Sequence, residues 1–279
     1  MLKWYFLFLG AASLCFSQEF SRDIISLGTV YSPSQTYKTY DLKVAAPPIH
    51  LNDSTLVLPS FKGHEGDITL NRISQSEHFK NLRLNFLTRI KPPGSLTYIL
   101  NPHIEFKKIT QNLKFEKDGF FGSLMFLVNY KPSEATTGWR YGFGLHYSRE
   151  FDSNTLIPIA SAHYLGSGFR SDIGFPSTGF YFFNEKKREW GLRVYFETNL
   201  YAYSQHPELL SPETKGLRVW RIDIGPSAQI PLWKSFSLKT SLGYLLLAEA
   251  HGIDQNAHKL QLLTKEKNPF FLRLNLSYE

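Results

Sequence analysis

Over long stretches of this chain every second residue is large and apolar while the residues between are small, polar or charged. That period of two confines the backbone to extended strands with unlike surroundings on their two faces. From Trp139 to Tyr147 the odd positions are Trp139, Tyr141, Phe143, Leu145 and Tyr147, set against Arg140, Gly142, Gly144 and His146. From Glu189 to Tyr203 the even positions Trp190, Leu192, Val194, Phe196 and Leu200 alternate with Glu189, Gly191, Arg193, Glu197 and Asn199. Further segments run over Ser95–Lys107, Trp220–Gly225, Ser235–Leu246 and Leu272–Tyr278. A helix with these patterns would scatter its apolar groups around the whole cylinder.

Weaker strand candidates are Ile24–Tyr31, Tyr37–Ala46, Thr55–Phe61, Leu82–Ile90, Gly119–Tyr130, Leu156–Tyr164 and Gly179–Phe183. Turn chemistry separates them at Ser32-Pro33, Ala46-Pro47-Pro48, Lys91-Pro92-Pro93-Gly94, Lys131-Pro132-Ser133 and Asp152-Ser153-Asn154. The polar stretches Gly63–Asn81, Tyr203–Gly216 and Ala250–Asn268 read as loops or short helices. The expected fold is an all-β, closed antiparallel barrel of about twelve strands, within a range of about ten to fourteen.

What lies outside such a barrel follows from strand length and aromatic placement. The better segments approach the roughly 9–11 residues of a tilted membrane-spanning strand, whereas typical soluble strands have about 5–6. Trp139, Tyr147, Trp190, Trp220 and Tyr278 stand at the ends of the apolar rows, as an interfacial girdle requires. The chain holds 23 Phe, 15 Tyr and 5 Trp but only 42% hydrophobic residues overall. An aromatic-rich chain without a spanning apolar run suits a barrel, in which only alternate residues meet lipid. The alternative, a soluble periplasmic sandwich or ligand-binding barrel, would invert the faces and make Trp190 and Phe196 core.

The N-terminus fits the same compartment. Lys3 precedes an apolar run from Trp4 to Leu14, and Cys15-Phe16-Ser17 sets small residues for a cut before Gln18. Residues 1–17 are expected to be a cleavable export signal, leaving 18–279 as one barrel domain. Cys15, the one cysteine, would be lost with the signal; as a lipidation site it lacks a small residue before it, since Leu14 stands there. The excess of 31 basic over 24 acidic residues is spread along the chain, which argues against a nucleic-acid patch and for contact with anionic lipid.

The chain also resembles a family of outer-membrane β-barrel proteins of double-membraned bacteria, built on a domain of unknown function. The resemblance is carried by Lys43-Val-Ala-Ala-Pro-Pro-Ile-His-Leu, Ser54-Thr-Leu-Val-Leu and Trp139-Arg-Tyr-Gly-Phe-Gly-Leu-His-Tyr-Ser. Leu156-Ile-Pro-Ile, Asp172-Ile-Gly-Phe-Pro-Ser and Trp190-Gly-Leu-Arg continue it. It implies an outer-membrane location and a barrel fold, with no catalytic residues. The terminal Leu272-Leu274-Leu276-Tyr278 row resembles the signal read by the barrel-insertion machinery, with the aromatic penultimate rather than last.

Chemistry-bearing pairs are sparse. His146 and Ser148 share a strand face, which raises a membrane-embedded lipid hydrolase as an alternative, yet same-face neighbours lie about 7 Å apart, beyond hydrogen-bond reach. His103 and Glu105 stand in the same relation, and His64-Glu65-Gly66-Asp67 reads as a solvated loop that could touch a cation. Gly142/Gly144 and Gly166/Gly168 lack the strand–loop–helix setting of a phosphate cradle. No catalytic residue, metal or cofactor is expected. The lumen-facing candidates are Arg140, His146, Arg193, Glu197, Arg221, Asp223 and Lys239, which would pair into a filled interior or line a path for small solutes.

Overall fold

The computed structural model describes residues 24–32, 37–70, 75–109, 115, 117–132, 137–148, 155–174, 177–184, 188–203, 211–233, 235–254, 258–265 and 270–278. The expected signal, residues 1–17, lies outside them. Sixteen strands follow one another: β1 (Ile25–Tyr31), β2 (Tyr37–Ala45), β3 (Ile49–Asn52), β4 (Thr55–Leu70), β5 (Gln75–Ile90), β6 (Leu96–Ile109), β7 (Phe120–Tyr130) and β8 (Gly138–Ser148). The second half comprises β9 (Thr155–Leu165), β10 (Phe169–Ile173), β11 (Ser177–Phe183), β12 (Glu189–Tyr203), β13 (Gly216–Trp233), β14 (Phe236–Ile253), β15 (Lys259–Lys265) and β16 (Phe270–Tyr278).

Fourteen of these, all but β3 and β15, form a closed antiparallel barrel in which each strand pairs with the next. The ring closes where β1 meets β16, with Ile25 opposite Tyr278 and Tyr31 opposite Leu272. β3 is a hairpin arm on β4, and β15 extends β16 along the upper part of β14. Glu249 opposite Lys265 and Tyr244 opposite Phe270 fall in one register, so β15 and β16 act as two halves of a single staff. The expected number of about twelve becomes fourteen: each barrel strand except β10 (Phe169–Ile173) corresponds to a candidate segment, and that five-residue strand is too short to show a period of two.

The faces are sorted as in a barrel turned inside out. Leu84, Phe86, Leu100, Ile104, Phe126, Phe143, Leu145, Leu192, Leu242 and Leu246 all look outward and are exposed. The inward positions bury Ser26, Asn101, His103, Glu105, His146, Arg221, Asp223 and Ser277. Closing a wall of this size requires corners. At Gly225 and Gly243, neighbours on β13 and β14, an added Cβ would stand 2.6–2.7 Å from the other glycine's Cα, an approach only Gly permits. The Pro-Pro-Gly turn between β5 and β6 ends on Gly94, whose φ of 101° favours glycine.

At the end remote from Ile25 and Tyr278 the barrel narrows. β7 to β11 stop short, and β6 there turns to pair in parallel with β12, Ala202 opposite Lys108 and Tyr203 opposite Ile109. β15 lies against β4 on the other side. The far end is thus a narrower ring of β4, β5, β6, β12, β13, β14 and β15. Each contributes inward apolar side chains to one core: Ile68, Leu70, Phe79, Ile109, Tyr201, Tyr203, Leu217, Val219, Ala250 and Leu263, none more than 7% exposed.

Candidate functional site

The interior is layered, and the strands explain why. On β4 the inward residues read Ser60, Lys62, His64, Gly66, Ile68 and Leu70, while the outward ones read Phe61, Gly63, Glu65, Asp67 and Thr69. On β5, paired to it throughout, Leu82, Leu84 and Phe86 look out below Lys80 and His78, while Arg83 and Asn85 look in below Phe79. Polarity reverses at one height without any change of parity. Above that height the chain is built as a soluble barrel with an apolar centre; below it the apolar residues are outside.

The apolar centre plugs the lumen. Phe79 on β5 packs at a tilt against Tyr201 of β12, 4.7 Å between ring centroids, although β5 and β12 are not neighbours in the sheet. Burial pushes the pKa of the Tyr203 phenol up, with nearby Glu77 adding to the effect. We call this element the stopper.

Immediately beneath it runs a layer of charges. Glu105 is clamped by Arg83 and Lys107 and lies 3.3 Å from His103 Nε2. Asp41 is 2.8 Å from His64 Nδ1 and 3.5 Å from Lys62. Arg221 reaches Glu197 at 3.0 Å and Asp223 at 3.3 Å, and Arg273 also holds Asp223 at 3.0 Å. Nearer the termini, Arg170 bridges Asp172 and Glu189 at 3.1 and 3.0 Å, and His163 sits 2.7 Å from Asp172. Buried charges persist when paired and hydrogen-bonded, as here.

The register places all seven lumen candidates inside. Arg140 and His146 lie on the inner face of β8, Arg193 and Glu197 on β12, Arg221 and Asp223 on β13, and Lys239 on β14. Glu197, Arg221 and Asp223 meet in one network; Arg140 stands apart, exposed near the terminal mouth. Sequence reasoning left out Asp41, Lys62, Arg83, Lys107, Arg170, Asp172, Glu189 and Arg273, although several share the parity that flagged the others. With Lys43, Arg89 and Lys239 included, inward cations at and below the charge layer outnumber inward carboxylates.

The chemical pairs resolve as follows. His64-Glu65-Gly66-Asp67 is strand, not loop: His64 and Gly66 point in, Glu65 and Asp67 out, so the set cannot converge on one cation. Among the described residues no cluster has the makings of a metal site. His146 and Ser148 are each 1% exposed and inward, away from any lipid that would contact the outer face. A third member joins His103 and Glu105: the Ser123 hydroxyl of β7 bonds His103, 3.1 Å from Nδ1 and closer to Nε2. Gly142 and Gly144 belong to β8, and Gly166 and Gly168 to the turn joining β9 to β10.

No protein-family model matches the chain, and no curated protein matches it in sequence.

Proposed function

We propose that this protein is a bacterial outer-membrane barrel that works without catalysis, as a stoppered structural or surface component. The observation that carries the reading is the reversal of polarity along β4 and β5. An apolar outer belt ends where a charged outer surface begins, and at that height the interior changes from ionic to apolar. A chain surrounded by water along its whole length has no use for such a switch, whereas one that leaves a hydrocarbon layer there does. Trp190, core in a soluble alternative, is 49% exposed, and Phe196, which that alternative would also bury, is partly exposed. β1 begins and β16 ends at one end of the barrel, and Leu272, Leu274, Leu276 and Tyr278 face outward, as lipid contact and barrel insertion require.

A second reading is a conduit for small solutes, favoured by the surplus of inward cations. It would select anions and demand that the stopper move. Single-channel recording of the refolded protein in planar bilayers separates the two: a flat baseline is expected, and reproducible conductance steps in the wild type would replace the scaffold by a pore. Heat-modifiable gel migration in detergent is expected in either case.

A further inference from the structure

Arg193 differs from the other inward arginines. Among the described residues no carboxylate pairs with it, and its Nη2 is buried without a hydrogen-bond partner. Its guanidinium stands 5.1 Å from the Tyr195 ring centre, and Arg273 stands 4.4 Å from the same ring, so two cations flank one aromatic. Arg273 is committed to Asp223; Arg193 is not.

The wall beside Arg193 lacks side chains toward β13, while on the β11 side the Tyr181 ring lies over Gly179 and Gly191. The partner of Arg193 across β13 is Gly225, which abuts Gly243 on β14, and two residues toward the terminal end on its own strand is Gly191. Opposite Gly191 stands Ser227, whose hydroxyl is likewise buried without a partner. Ser227 and Arg193 are therefore diagonal neighbours on one face of the sheet, within reach of a common small group. Two unsatisfied donors, one of them a guanidinium, stand between the bare β13 backbone and the Tyr181 ring, with Asp223 the nearest carboxylate to act on Arg193, on a wall with excess positive charge. A planar fork of N–H donors is matched by an oxyanion.

We propose that Arg193 and Ser227, with Arg273 adding charge, form an oxyanion-binding recess in the lumen, taking a carboxylate or phosphate group of a small solute. The inference depends on which residues face inward and not on the membrane reading.

The test is calorimetric titration of the full chain in detergent with inorganic phosphate and with succinate, each against sodium chloride at matched ionic strength. Saturable binding of either oxyanion is expected, weakened at least tenfold in Arg193→Gln and several-fold in Ser227→Ala, and unchanged in Arg140→Gln at the mouth. Preference for phosphate or for succinate assigns the class of anion. Heat-modifiable migration of each variant checks that the barrel has formed; should Arg193→Gln fail to form one, Ser227→Ala decides. No saturable heat in the wild type, equal response to chloride, or undiminished binding by the folded variants would overturn the proposal. A barrel that forms and migrates normally but binds neither anion would leave the outer-membrane reading intact.

Discussion

Among the described residues Glu105 is the carboxylate that gathers Arg83, Lys107 and His103 about it. It is 2% exposed. Glu105→Gln keeps the shape but removes the carboxylate that Arg83 and Lys107 share, a loss of about 3–5 kcal/mol for breaking one side of a buried ion pair. Urea unfolding in detergent should report it as a lowered midpoint. Tyr203 predicts the opposite sign. Its hydroxyl is buried in the stopper without a partner, so Tyr203→Phe should be neutral or stabilise by up to about 1 kcal/mol. The folded phenol ionises at higher pH than an unfolded one, whose value is about 10. Its stability contribution is therefore complete below that pH and declines as pH rises beyond it, because only the unfolded chain loses the proton. Wild type should lose stability on going from pH 9 to 11, roughly the range around that value, by more than Tyr203→Phe does.

Strands are where the sequence was readable and where it misled. The period of two over Trp139–Tyr147 and Glu189–Tyr203 gave β8 and β12 directly, because both faces there keep one polarity for most of their length. Gly63–Asn81 and Ala250–Asn268 looked like loops, yet they hold the upper halves of β4 and β5, the end of β14 and all of β15. The cause is the reversal: once the outer face turns charged and the inner face apolar, a window spanning both halves averages to no pattern. Glu65, Asp67, Lys80 and His78 look like loop chemistry until Ile68, Leu70 and Phe79 are seen to alternate with them. The interior charge layer was half legible for a similar reason. Arg193 and Glu197 lie on long regular strands, whereas Lys62 and Arg83 sit beside the reversal, and cross-lumen partners cannot be paired from one chain's spacing. The β4–β5 hairpin gives a direct check on orientation. Phe79→Asp buries an unpaired charge in the stopper, whereas Lys80→Asp only changes an outer rim residue. Limited proteolysis should cut the far end of Phe79→Asp quickly and leave Lys80→Asp as resistant as wild type; equal resistance would refute the stopper.

At the scale of the whole molecule the barrel must satisfy every strand edge, and the β1–β16 pairing does so while bringing the start of β1 and the end of β16 to one mouth. What remains to be decided is the medium around the belt, and free-energy magnitudes discriminate sharply. Leu145 on β8 and Leu192 on β12 are 45% and 49% exposed, each within an apolar outer row. If water surrounds them, Leu→Arg at either position is an ordinary surface substitution, worth within about 0.5 kcal/mol. If hydrocarbon surrounds them, the same change costs about 2–4 kcal/mol near the bilayer midplane and much less near its edges. Refolding Leu145→Arg and Leu192→Arg into lipid vesicles, with denaturant titration followed by tryptophan fluorescence, should show the larger loss at both sites. Lys38→Leu, on the outer face of β2 above the belt, should show almost none. A uniform loss below about 0.5 kcal/mol at all three positions would mean that the belt faces water, and the stoppered outer-membrane barrel would have to be given up in favour of a soluble one.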